Sequence, residues 1–275
     1  MILFEKHKKL RYTYGIKGGE ATSMQQPSEH EMLLTGALDL GEQMLLRGAE
    51  VGRVEDTLTR ILRSQGAIRV DVFTITSSMV VTAQWAEGPV TQTRRISGIQ
   101  YDMTALTRLN ALSREICAGS CKMETVGQRL AEIAKGKTYS FWVTVLTYGF
   151  TSLVFSLFFG GTWLDAVISA GIGMLIRLLL REMERLQVPG IASTLLCAVI
   201  GGFLAHWLLY LGIPCSPDQV AIGDIMLLVP GIAMTNAIRD MFTGDTISGL
   251  LRFCESLLLS LVLAWGFALP SALFL

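Results

Sequence analysis

Residues 224–245 read DIMLLVPGIAMTNAIRDMFTGD. The segment is apolar enough to enter a bilayer, yet Pro230 and Gly231 stand at its middle. Proline removes a backbone donor and clashes with the preceding turn, and glycine adds conformational freedom. In lipid, backbone groups freed by such a break are tolerated only against protein or a water-lined cavity. Broken helices of this kind build substrate sites in secondary transporters. Asn236 and Asp240 are four apart and share a helical face, which Thr243 continues. On a helical rise, Asp224 lies roughly 9 Å to one side of the proline, Asn236 roughly 9 Å to the other and Asp240 about 15 Å away. An ionised group at mid-bilayer costs about 2.5–3.5 kcal/mol, so Asp224 and Asn236 are the costly pair. The expectation is a helix that lines a path. The plainer alternative is a kinked helix with capped ends.

Outward from this segment, charge divides the chain. Of 23 Lys and Arg, 18 precede residue 138, as do 15 of 23 acidic residues. A polar half therefore joins an apolar one. Net charge is zero, which gives nucleic acid no electrostatic invitation. Cys117 and Cys121 could share a helix face, but no second Cys or His pair completes a metal site, and the other three cysteines sit in apolar segments. No phosphate loop, nucleophile elbow or zinc-protease motif occurs, so neither a cofactor nor enzymatic activity is expected.

Residues 1–28 read as a disordered basic tail without a signal-peptide core. Residues 29–137 read as an α+β domain expected to be cytoplasmic. Ser28 and Glu31 have capping-box spacing, Gly48 ends the first helix, and a second runs from near Gly52 to Gly66. Ile68, Val70 and Val72 alternate as in a strand, the first of a three-stranded antiparallel meander. Two further helices follow, over about 102–117 and 122–135. Glu50, Arg53, Glu55 and Asp56 cluster at the first helix junction, either as caps and surface ion pairs or as a docking contact. Arg94 and Arg95 read as a solvated edge.

Residues 138–275 read as an all-α membrane domain of about five transmembrane helices, near 139–159, 163–181, 190–212, 220–242 and 253–274. Lys135, Lys137, Arg181, Arg185, Arg239 and Arg252 all fall on the side of the polar domain. That side is expected to be cytoplasmic, with the C-terminus outside. Arg177 lies about one turn from that interface, where it either snorkels or holds an anionic substrate group. His206 is a core residue or a proton relay. Glu255 could pair with Arg252 or Arg239. Asp224, Pro230, Gly231, Asn236, Asp240, Arg177 and His206 form the expected substrate pathway. Five spans make one half of an inverted-repeat plan, so a partner chain or an oligomer is expected.

Gly48-Ala49-Glu50 and Arg53-Val54-Glu55, with Val229-Pro230-Gly231, Asn236, Asp240, Gly244-Asp245, Gly249 and Arg252, resemble the N-terminal half of the threonine/serine exporter family. The stretch after Glu50, Val51-Gly52, departs from the family pattern. The resemblance implies the split form, in which a large subunit works with a small multi-span membrane subunit in a bacterial inner membrane. It leaves two substrate classes open, threonine and serine or a dicarboxylate such as succinate. A non-transporting assembly or regulatory subunit and a membrane-bound hydrolase are the alternatives.

Overall fold

The computed structural model describes residues 28–136 and 139–274. All of the expected basic tail except Ser28 lies outside them. Ser28 caps the first helix through a reciprocal capping box with Glu31, and α1 (Glu29–Leu46) and α2 (Val51–Ser64) follow. Gly48, at φ +89°, and Gly66, at φ +86°, take the left-handed backbone that stops each helix. The meander forms as β1 (Arg69–Ile75), β2 (Ser78–Trp85) and β3 (Gly88–Arg95), antiparallel and in sequence order. Alternation on β2 turns Met79, Val81, Ala83 and Trp85 inward. Ile68 precedes β1 and is exposed, so the alternation read there starts two residues early. Arg94 pairs with Asp39 on α1 at 3.4 Å, a tie between sheet and helix where a solvated edge was expected. Helices α3 (Met103–Cys117) and α4 (Met123–Ala134) complete one apolar core with α1 and α2.

The apolar half holds four helices long and apolar enough to cross a membrane: α5 (Phe141–Phe158), α6 (Trp163–Arg185), α7 (Gly190–Tyr210) and α10 (Thr246–Phe274). Between α7 and α10 lie α8 (Pro217–Leu228) and α9 (Gly231–Thr243), bent 57° from one another. Counted as one broken span, this pair makes five. Helix α8 is enclosed by α5, α6 and α7, whereas α9 lies along α10 and touches α2 of the polar domain. Small residues bring the helices together: a Cβ on Gly173 would stand 2.8 Å from Ser152 Cβ, and one on Gly249 2.7 Å from the Ala237 carbonyl.

Gly48 is constrained twice, because a Cβ there would also come within 2.3 Å of the Tyr101 ring. Gly66 has the same backbone but open space around it. Gly66→Ala should cost only the left-handed penalty, about 1–2 kcal/mol. Gly48→Ala should cost more, by the work of displacing Tyr101. Denaturant unfolding of the purified variants measures the difference, and equal losses would show that the ring yields freely.

Candidate substrate pathway at the broken span

The break is short and local. Val229 is extended, Pro230 sits at φ −78° and ψ 56°, and Gly231 N–H donates to the Val229 carbonyl at 2.8 Å. This is a tight three-residue turn. The last carbonyls of α8 and the first N–H groups of α9 have no helical partners there. The break also faces outward: Val229 is 40% and Ile232 49% exposed, and a Cβ on Gly231 would meet nothing within 4 Å.

Before the break, Asp224 is fully buried between helices. Ser152 Oγ on α5 donates to its Oδ1, and Ser169 Oγ on α6 lies 3.4 Å from the same oxygen. Ser152 and Ser169 are themselves 2.7 Å apart. Ser152 lies three residues after Gly149 and four before Ser156, a small-residue spacing that places the hydroxyls against α8.

Beyond the break, α9 meets the polar domain. Asn236 Nδ2 donates to the Gly48 carbonyl at 3.1 Å, and Val51 N–H points at Asp240 Oδ1 at 3.4 Å. Arg239 pairs with Glu50. Ser248 Oγ donates to the Thr74 carbonyl at 3.2 Å, while Thr74 N–H donates to Glu55 at 2.7 Å. Burial pushes the Glu55 carboxyl up, the Thr74 N–H opposes this, and Asp245 nearby adds to the rise. A Cβ on Gly52 would stand 2.9 Å from Asp245 Oδ2, so that contact needs a residue without one.

The cluster read from residues 50–56 therefore comes apart. Glu50 begins α2 without a side-chain cap and reaches α9, Glu55 turns to β1, Asp56 pairs along its own helix with Arg60, and Arg53 is exposed.

Arg252 is the residue that sequence reasoning undervalued. It is 2% exposed, and its Nη1 lies 3.2 Å from Asp240 Oδ2. Its Nε, Nη1 and Nη2 are buried and make no hydrogen bond. The expected pairing with Glu255 does not form; Glu255 is exposed. The signal was present as Ser248, Arg252 and Ser256 at four-residue intervals, all three buried.

The expected pathway residues thus fall into separate places. Asp224 lies inside the helix bundle, Pro230 and Gly231 form the outward-facing break, and Asn236 and Asp240 lie at the junction with the polar domain. Arg177 faces the Phe141 and Tyr148 rings and pairs with Glu184 at 3.6 Å. His206 Nδ1 is 2.8 Å from the Gly202 carbonyl, one turn back on its own helix.

Four helices of membrane-spanning length and a bent pair give the chain the form of a multi-pass membrane protein, and a broken span is a recurring feature of secondary transporters. A family model described as "Putative threonine/serine exporter" matches residues 36–274, and the chain belongs to that family. Among its relatives, the "Probable succinate transporter subunit YjjP" of Klebsiella aerogenes is 28% identical over 231 residues, which cover 81% of this chain and 86% of that one. The protein of the same name from Escherichia coli is 26% identical, with 83% and 90% covered. The "Threonine/serine exporter" of Corynebacterium glutamicum is 24% identical over 62% of this chain, but the match covers only 36% of that longer protein. No solved structure matches the chain.

Removing one member of a buried ion pair strands the other and costs about 3–5 kcal/mol. Arg252→Ala should therefore destabilise the detergent-purified protein strongly, and Asp240→Asn with Arg252→Gln should lose less than the two single losses summed. A double-mutant cycle in thermal unfolding measures this. Additive losses would show that the two groups do not interact.

Proposed function

We propose that this chain is one half of a bacterial inner-membrane secondary exporter of small polar metabolites, completed by a small multi-span membrane subunit. The observation that carries the proposal is the outward-facing break at residues 229–231. Unpaired backbone at bilayer depth does not face lipid, so this surface calls for protein or a water-filled path beside it. A second half packed there would enclose a passage lined by the ends of α8 and α9. The succinate transporter relatives, matched over most of their length, are named as subunits, which supports a separate partner.

The polar domain sits on the cytoplasmic side and closes the inner mouth. Its turn at residues 48–51 meets Asn236 and Asp240, and Arg252 is buried beside Asp240. When the turn lifts, an amide, a carboxylate and a guanidinium become free together. The guanidinium fork matches a carboxylate, the group that threonine, serine and succinate share. The carboxylate of Asp240 adds a place for an ammonium, which only the amino acids carry.

Cells expressing this chain with its partner should release labelled threonine, serine or succinate faster than cells lacking it. Asn236→Ala should cut that release several-fold at normal membrane levels and with the partner still bound. Equal efflux with and without the chain would defeat the transporter reading. Full flux in Asn236→Ala would favour an assembly role for the junction.

A further inference from the structure

The buried carboxyl of Asp224 has hydroxyls for company. Its Oδ2 and the Oγ of Ser156 are both buried without a hydrogen-bond partner. The helices packed on α8 carry other titratable or charged groups, but none of these bonds to Asp224. Asp165 on α6 accepts from Thr162 and from Ser216 N–H, and Arg177 is held by rings and Glu184. His206 and Cys197 belong to α7 and Tyr148 to α5, while Arg252, Cys254 and Glu255 lie on α10 and Asp218 in the first turn of α8. Among the described residues, Ser152 and Ser169 are the ones whose hydroxyls reach the Asp224 carboxyl.

An intramembrane carboxyl either pairs with a cation or marks an ion path. Among the described residues, no cationic side chain pairs with Asp224. A Cβ on Gly223 would lie 2.4 Å from Ser169 Oγ, 2.7 Å from the Ser152 carbonyl and 3.1 Å from Ser156 Cβ. At this neighbouring residue three helices meet too closely for even a methyl group, whereas a proton occupies no volume. We infer that Asp224, with Ser152 and Ser169, is a proton-binding site of the transport cycle. The proton sits on the carboxyl while α8 is packed against α5 and α6, and passes to water when α8 moves away from them. The inference rests on the transporter reading but is tested without it.

Infrared difference spectra of the full chain in lipid nanodiscs, recorded across a pH titration, read the site directly. One protonated-carboxyl band should vanish in Asp224→Asn and shift in Ser152→Ala. Spectra of Asp224→Asn that superimpose on wild type would overturn the assignment. If that variant does not accumulate, the shift in Ser152→Ala decides, and its absence overturns the assignment too. Displacement of the band by sodium at fixed pH would assign the site to a metal cation instead and overturn the proton. Equal efflux with and without the wild-type chain, with the band present, would count against the transporter reading alone.

Discussion

A polypeptide in hydrocarbon has nowhere to put an unpaired amide. That constraint explains why α5, α6, α7 and α10 run uninterrupted for 18 to 29 residues each. It also makes the one interruption informative. Pro230 cannot donate, and the turn around it leaves two helix ends open in the same place. Half-helix ends carry opposite partial charges, so the break gathers both polarities at one depth. The remaining architecture then divides its labour around that point, with α8 held inside a helical cluster and α9 laid against the polar domain.

The two segments of the broken span differ in what restrains them. Helix α8 is gripped by close-packed glycines and serines, and a rotation would drive its backbone into the Ser152 and Ser169 hydroxyls. Helix α9 packs closely on α10 at Gly249, but its ties to the polar domain are polar: Asn236 to Gly48, Arg239 to Glu50 and Asp240 to Val51. Polar contacts of that kind exchange for water or ligand at modest cost, whereas parting interdigitated small residues costs more. The polar domain is therefore tied to α9 through α2 and the Gly48-Ala49-Glu50 turn, and to α10 through β1.

Much of this was legible before any coordinates. Helix caps, glycine stops, the meander and the membrane segments follow from local periodicity and hydropathy, which are properties of neighbours in the chain. The proline break was readable for the same reason. What periodicity cannot supply is which face meets which. Glu50 and Glu55, five residues apart, looked like one cluster but serve α9 and β1. Arg252 looked like a loop charge, yet its helix begins at Thr246, about two turns earlier than the hydropathy implied, so it is carried into the packed interior. Asp224 was rightly seen as costly, but the serines that receive it lie 55 and 72 residues away in sequence.

One contact has a consequence for biosynthesis. The Gly48 carbonyl and Val51 N–H meet their partners on α9 across 188 and 189 residues of chain. The ribosome finishes the N-terminal domain long before α9 emerges, so this turn stays uncovered until nearly the whole membrane portion has been inserted. Closing the junction is therefore one of the last steps of assembly, possible only once α9 is in place.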